Sequence, residues 1–178
     1  MAQVRAAEVG LDLRTTRFPR AQLIEADLTG ADLRGAHLEQ TSFAGADLTR
    51  AKLEKAQASH AIFSKARLEE AHLAGARLDG AVFAEAIMPL VDLRDASLRA
   101  ASLNQAVAVG ARLAGADLEM ADLTHADLSG ADLSGARLRY ARLHGVTDEG
   151  TTWGNRSGSL GEDAELRAAE RWMPPTSS

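Results

Sequence analysis

The feature that most constrains this chain is a five-residue sequence repeat, which continues without a gap from Leu11 to Gly145. Each repeat has a central apolar residue, and these centres occupy every fifth position from 13 to 143, which makes 27 repeats. The centre is Leu in 20 repeats, Phe in four, Ala in two and Met in one. Alanine stands two residues before the centre in 23 of the 27 repeats. The fold must therefore bury two apolar side chains in every five residues.

A period of five residues fits neither of the common secondary structures. An α-helix turns about 100° per residue, so successive centres would spread around its surface. A straight strand would direct successive centres to opposite faces. The period fits a chain that bends after every centre, because the inward alanine and the centre then point the same way from a short extended segment. The two residues after the centre form the corner.

Glycine and proline occupy the corners as a tight turn requires. Ten repeats have Gly at the second position after the centre, where a type II turn needs a positive φ. Pro19 and Pro89 directly follow a centre, where a turn favours a φ of about −65° and needs no N–H donor. Turns separated by short extended segments are therefore predicted throughout the array.

The repeats ADLTG, ADLRG and ADLSG closely resemble those of the pentapeptide-repeat proteins, from Leu11 to about Gly145. The resemblance implies an all-β solenoid, a right-handed quadrilateral β-helix with four repeats per coil, in which residues 20 apart stack. The phenylalanines at 43, 63 and 83 would then stack on one inner face. We predict an N-terminal cap over 1–10, the β-helix over 11–155 with Trp153 inward, and a C-terminal helix and tail over 156–178.

The segment after the array predicts a short α-helix from Leu160 to Met173. Ser159 and Glu162 have the spacing of a capping box, and two prolines follow Met173. One face of this helix would carry Leu166, Ala169, Trp172 and Met173. We expect this face to cap the last coil. The alternative, which resembles the C-terminal arrangement of several family members, is a homodimer formed through the helix.

Apolar side chains at outward positions predict a partner-binding surface. Most outward positions of the array are polar, whereas six in its middle are aliphatic: Ile62, Val82, Ile87, Leu90, Val107 and Val109. A contiguous apolar patch on the outside of a rod is typical of an interface with another protein. The competing interpretation is a local slip of register that turns these side chains into the core.

The outward polar residues predict no catalytic site. Nine aspartates directly precede a centre, where each is expected to accept a hydrogen bond from the turn backbone. His125 and His144 would lie on one side, one coil apart, but two histidines without further ligands make a weak metal site. The chain has no Cys and no apolar run long enough for a signal peptide or a membrane span. We therefore predict a non-enzymatic, cytoplasmic protein that uses no metal or cofactor and binds no membrane.

Two functions are compatible with these features, and we favour a rigid protein–protein interaction module or scaffold. The alternative is a DNA mimic that binds DNA gyrase or topoisomerase IV, as implied by the resemblance to quinolone-resistance members of the family. Mimicry needs an acidic face, because duplex DNA carries one charge per ~1.7 Å of axis. The array holds 18 acidic and 16 basic residues, a net charge of −2, and no side is more negative than −3. The whole chain, at −5, is also not expected to bind nucleic acid directly.

Overall fold

The computed structural model of the chain describes residues 12–14, 16–155 and 159. The predicted N-terminal cap and C-terminal helix lie outside these residues. Within them, the residue before each centre pairs in parallel with the residue 20 positions later, so four repeats make one coil. Two strands extend beyond single bridges, β1 (Asp132–Leu133) and β2 (Thr152–Trp153), and they pair in parallel. The chain is thus a four-sided β-helix.

Two sets of backbone hydrogen bonds hold the coils together. From Leu13 to Leu128, the N–H of each centre donates to the coil that follows, as Leu113 does to the carbonyl of Asp132 at 2.7 Å. From His37 to Thr152, the N–H of the residue before the centre donates to the coil that precedes, as Asp132 does to the carbonyl of Ala111 at 2.9 Å. Inside each corner, the next inward residue donates back to the centre, as Ala116 does to Leu113 at 3.0 Å. Every corner is therefore a closed turn between two ladders.

The second corner residue adopts a positive φ at every repeat from Arg20 to Gly150, with values between 52° and 72°. The predicted glycine corners are confirmed, and sixteen residues that carry side chains adopt the same conformation. First corner residues have no positive φ in the described chain, which is the combination found in type II turns. A left-handed L-residue costs about 1–2 kcal/mol. The array sustains this cost because the ladders on both sides hold each corner in place.

Replacing Ala100 with Gly is expected to stabilise the protein. Ala100 is exposed and has a φ of 52°, so the change removes little more than the clash of its Cβ with the backbone. Relief of ~1–2 kcal/mol, less the ~0.4–1 kcal/mol that Gly adds in unfolded-chain entropy, leaves a gain of roughly 0.5–1 kcal/mol. Urea unfolding measures it. Ala84→Gly, at a first corner position, is the matched control and is expected to destabilise; equal effects of the two changes would contradict the prediction.

The inward positions form one continuous core. From Ala26 to Leu143, every centre and every residue two before it is at most 4% exposed. Phe43, Phe63 and Phe83 stack with ring centroids 5.1 and 4.8 Å apart and interplanar angles of 6° and 5°. The predicted aromatic stack is therefore confirmed. We name the four sides of the coil by one centre each, as the Leu73, Leu78, Phe83 and Met88 sides.

The core also accommodates a polar inward residue and ends in an aromatic one. Thr41 is fully buried, and its hydroxyl donates to the carbonyl of Phe18 in the preceding coil at 2.5 Å. Trp153 packs half-buried against the core, paired with Leu133, and its Nε1 donates to Asp148 Oδ2 at 3.0 Å. This confirms the prediction that Trp153 faces inward. Within the described residues no helix is long and apolar enough to cross a membrane.

Candidate protein-interaction surface

Four of the six outward aliphatic residues lie together on the Met88 side and on the corner that follows it. Ile87 and Val107 pair in adjacent coils, and the amide of Leu90 donates to the carbonyl of Val109 at 2.9 Å. The side chain of Leu90 lies over Gly110 of the next coil, where a Cβ in place of the glycine hydrogen would be only 2.9 Å from Leu90 Cδ2. The four aliphatic side chains are 38–56% exposed. They form one apolar area across two coils.

The other two residues lie on the neighbouring Phe83 side. Ile62 and Val82 pair in adjacent coils; Ile62 is exposed and Val82 is half-buried. The corner between Val82 and Ile87 holds Ala84 and Glu85, and Glu85 lies 3.5 Å from Lys65 at the same corner of the preceding coil. This ion pair lies between the two groups beside the small side chain of Ala84. We call the six residues together the apolar surface. The central residues of these four repeats, Phe63, Phe83, Met88 and Ala108, are all buried. The repeats therefore keep their register, and a slip that would turn the six aliphatic side chains inward is excluded.

Three exposed apolar residues were not predicted: Ile24, Met120 and Tyr140. Met120 and Tyr140 occupy the same corner of consecutive coils. The Arg139 guanidinium lies 4.7 Å from the Tyr140 ring centroid and donates to its hydroxyl at 2.8 Å. A search for apolar pairs spaced by 20 residues at corner positions would have found them. Met120 and Tyr140 lie away from the apolar surface, on the corner between the Leu78 and Phe83 sides.

The nine aspartates before a centre perform the structural role predicted for them. Each accepts a hydrogen bond from the backbone N–H two residues later, over 2.9–3.2 Å. In three repeats this N–H belongs to an arginine whose side chain also binds the same carboxylate. The aspartates therefore stabilise turns.

Among these nine aspartates, Asp92 has the smallest exposed fraction. Only 6% of the residue is exposed, and its carboxylate accepts from Arg94 Nε at 2.8 Å and from Arg94 Nη2 at 2.6 Å. Arg112, one coil further, lies 3.5 Å away. The Arg94 side-chain hydrogen bonds, aided by its backbone N–H and by both charges, hold the pKa of Asp92 below its usual value although burial alone would raise it.

Replacing Asp92 with Asn is expected to destabilise the protein by roughly 1–2 kcal/mol at neutral pH, since a hydrogen-bonded charge is lost. The carboxylate has a lower pKa folded than unfolded, so its contribution is complete above the unfolded pKa of about 3.9 and disappears as pH falls through the folded pKa. Urea unfolding at pH 7 and pH 3 measures both values. Asp132→Asn, at an exposed equivalent position, should cost less. A difference between wild type and Asp92→Asn that does not shrink in acid would contradict the expectation.

Opposite charges are interleaved across coils. Arg99 contacts Asp117 at 3.2 Å and Glu119 at 2.6 Å, and Arg137 approaches the same two carboxylates from the other side at 3.6 and 3.9 Å. Acidic residues of the Leu78 side are thus neutralised locally. This arrangement differs from the uninterrupted negative charge of a nucleic-acid backbone.

The two histidines predicted to approach each other do so. The rings of His125 and His144 have centroids 5.3 Å apart and an edge-to-face angle of 68°. Within the described part of the chain, no three or more His, Cys, Asp or Glu residues are grouped so that they could hold a metal ion. The pair therefore packs as aromatic rings.

Comparison with known proteins identifies the class to which this coil belongs. The model of the pentapeptide-repeat family matches eight copies, over residues 9–35, 21–57, 61–99, 92–130 and 121–147. The chain belongs to the pentapeptide-repeat family, and its four-sided coil is the right-handed quadrilateral β-helix that this family implies. A search of curated proteins found no match.

Solved structures show the same fold. HetL, a pentapeptide repeat protein involved in heterocyst differentiation regulation in the cyanobacterium Nostoc sp. strain PCC 7120, is 27% identical, with 87% of this chain and 88% of that chain covered and a TM-score of 0.62. A pentapeptide repeat protein of the Arabidopsis thaliana thylakoid lumen is 25% identical over 57% of this chain and 72% of its own, with a TM-score of 0.52. A trypsin-treated form of QnrB1, a plasmid-mediated fluoroquinolone resistance protein, is 18% identical over 91% of this chain and 88% of its own, with a TM-score of 0.56. At that identity the likeness to QnrB1 concerns the fold alone.

Proposed function

We propose that this chain is a rigid, non-enzymatic protein–protein interaction module, and that it binds a protein partner through the apolar surface. The observation that carries the proposal is the clustering of six aliphatic residues on two neighbouring sides of a coil whose other outward positions are mostly polar. An aliphatic side chain left in water forgoes ~1.5–3 kcal/mol that burial would supply. A partner that covers the surface recovers this free energy.

The backbone beneath the apolar surface suits it to binding. Ile87, Val107 and their neighbours sit in ladders with N–H to carbonyl distances of 2.7–2.9 Å, and Leu90 lies in a closed corner. A partner therefore meets a preformed surface and does not have to order a loop, which lowers the cost of association. The homodimer through the C-terminal helix concerns residues outside the described chain and stays a prediction.

Mimicry of DNA toward gyrase or topoisomerase IV remains the second candidate and has weaker support. The likeness to QnrB1 is one of fold. Cross-coil ion pairs such as Arg99 with Glu119 neutralise the charge that a mimic has to display. The sugar-phosphate backbone of duplex DNA also has no aliphatic surface that the apolar surface could imitate. These features favour an ordinary protein interface.

The double substitution Val107→Lys with Val109→Glu is expected to abolish partner binding and to leave the fold intact. Both side chains point into solvent, so the change in stability should stay within about 0.5 kcal/mol, or a melting-temperature shift of about 2 °C. Partner binding is measured in the source organism with a photo-crosslinking residue at Ser102, which lies beside the apolar surface on the Phe83 side. The crosslinked partner should be present with the wild-type surface and lost with the double variant.

The matched control is Arg112→Lys with Ala114→Glu, at the equivalent positions of the next repeat and outside the apolar surface. This variant should keep both the fold and the crosslink. Unfolding of the Val107 and Val109 variant would assign those side chains to the core. A crosslink of undiminished yield, including one to a topoisomerase subunit, would show that the partner binds elsewhere.

A further inference from the structure

We infer that the Met88 side of the coil binds a second copy of this chain, packed face to face with the two rod axes antiparallel. The inference rests on the proposed function and names the partner of its apolar surface. It is carried by one row of outward side chains, whose order of charged and aliphatic residues is complementary to its own reverse.

The row consists of four outward residues of the Met88 side in four consecutive coils. Parallel bridges join Arg67 to Ile87 and Ile87 to Val107. A third bridge joins Val107 to Asp127, so the row is positive, aliphatic, aliphatic and negative along the rod. A two-fold axis that lies in the interface, between Ile87 and Val107 and perpendicular to the rod, makes this surface face itself in reverse order. Arg67 of each copy then faces Asp127 of the other, and Ile87 faces Val107.

Asp127 carries a charge that no base of the described residues compensates through an ion pair, whereas Asp47 of the same side lies 3.5 Å from Arg67. The Asp127 carboxylate accepts hydrogen bonds from the backbone N–H and the hydroxyl of Ser129, at 3.0 and 2.6 Å. Both bonds reach the same oxygen, Oδ1, so Oδ2 can still accept from a cation. A second copy would supply that cation.

Arg67 has donors to spare for this contact. Its side chain is 54% exposed. Its Nε lies 3.5 Å from Asp47 Oδ2, and its Nη2 lies 3.9 Å from Glu69 Oε2. Both distances exceed those of a hydrogen bond, so the guanidinium can still donate to a carboxylate of the second copy.

The aliphatic residues lie at the centre of this contact. Leu90 is 56% exposed and would lie opposite Gly110 of the second copy, which has no side chain to block it. Val109 would lie opposite Pro89 on the same corner. The aliphatic side chains of the Met88 side are then enclosed between two Arg67–Asp127 pairs, which is the usual arrangement of an apolar interface core with a polar rim.

The other charges permit the antiparallel arrangement. Under the same axis, the remaining charged residues of the Met88 side and its two corners between 45 and 150 face neutral ones: Asp47 faces Thr147, Arg50 Gly150, Lys65 His125, Glu69 Ser129, Glu70 Gly130, Glu85 Gln105 and Glu149 Thr49. Parallel axes would instead place Arg67 against Arg67 and Asp127 against Asp127, and like charges in an interface disfavour association. One side of a narrow rod offers a small contact area, so we expect a reversible dimer.

Sedimentation velocity of the full chain, from micromolar to millimolar concentration, tests the inference and should show a monomer–dimer equilibrium. Arg67→Glu and Asp127→Arg, each alone, place like charges opposite each other twice per dimer and should raise the dissociation constant at least tenfold at low salt. An equimolar mixture of the two variants should dimerise about as tightly as the wild type, because both contacts of the mixed dimer then join opposite charges. Ile87→Ser with Val107→Ser should abolish the dimer.

The matched controls are Arg77→Glu, on the opposite side of the coil, and Asp132→Arg. Asp132 accepts a hydrogen bond from the N–H of Ser134 at 2.9 Å, as Asp127 does from that of Ser129. Both control variants should dimerise like the wild type, alone and mixed.

The inference is overturned if the wild type stays monomeric, if mixing the Arg67 and Asp127 variants restores nothing, or if the controls weaken the dimer equally. It is also overturned if a dimer survives the serine substitutions, as one formed through the predicted C-terminal helix would. The wild-type and serine measurements decide even where a charge variant does not fold. Photo-crosslinking at Ser102 reports on the proposed function separately: a different protein captured there, with this chain monomeric, would support the interface and refute the second copy.

Discussion

Replacing Leu113 with Asp is expected to prevent the β-helix from folding around that coil. Leu113 is fully buried in the ladder between Leu93 and Leu133. The loss of leucine packing costs roughly 2–5 kcal/mol, and a buried carboxyl without a hydrogen-bonding partner adds several kcal/mol more. Domains of this size have a total stability of about 5–15 kcal/mol. Far-UV circular dichroism and urea unfolding should show loss of the β signal or a large fall in stability.

The control for this prediction is Arg112→Asp, which introduces the same side chain one position earlier on the outside of the coil. Arg112 is exposed, so the variant should fold and lose only its contact with Asp92. Equal stability of the two variants would contradict the inward placement of the centres. A mainly helical spectrum of the wild-type protein would contradict the fold as a whole.

Replacing Phe63 with Ala is expected to produce the second largest loss, about 3–5 kcal/mol. Its ring is fully buried between Phe43 and Phe83, with centroids at 5.1 and 4.8 Å and nearly parallel planes. Removal leaves a cavity with a ring on either side and breaks two stacking contacts. Because each coil contacts only its neighbours, the weakened coil should also reduce the cooperativity of unfolding. Thermal and urea unfolding measure both effects.

Two substitutions serve as controls for the aromatic stack. Phe63→Leu places in this ladder the residue that already occupies it at Leu103 and Leu123, so it should cost less than Phe63→Ala. Phe18→Ala removes a half-buried ring from the first coils, where no stacking partner lies among the described residues, and should also cost less. A loss for Phe63→Ala no larger than that for Phe18→Ala would show that the stack contributes little.

Much of the fold could be predicted from local pattern. The five-residue period identified which side chains point inward, and the structure confirms them from Ala26 to Leu143. The spacing of 20 residues predicted the aromatic stack and the approach of His125 to His144. The aspartates before each centre were correctly assigned to the turn backbone. The inward assignment and the role of the aspartates depend only on the chain's own periodicity, whereas the spacing of 20 residues came from the resemblance to the pentapeptide-repeat proteins.

Other features could not be inferred from the pattern. Glycine marked some left-handed corners, but Arg20, His60 and Tyr140 adopt the same φ because ladders on both sides impose it. The hydroxyl of Thr41 finds a carbonyl 23 residues earlier, which requires the coil to exist first. The sequence predicted which residues form the candidate interaction surface. It did not predict how far each side chain is exposed, because exposure depends on how neighbouring coils stack.

The sequence by itself determined the inward and outward assignment of every repeat, because period and polarity act within five residues of chain. The resemblance to the pentapeptide-repeat proteins supplied the number of repeats per coil. Only the tertiary structure decided which outward side chains meet, such as Arg67 with Asp47 and Lys65 with Glu85. These contacts join residues of different coils through long side chains with several rotamers, so their geometry follows from stacking and not from local pattern. Stacking also brings the aliphatic residues of the Phe83 and Met88 sides into neighbouring positions on adjacent coils.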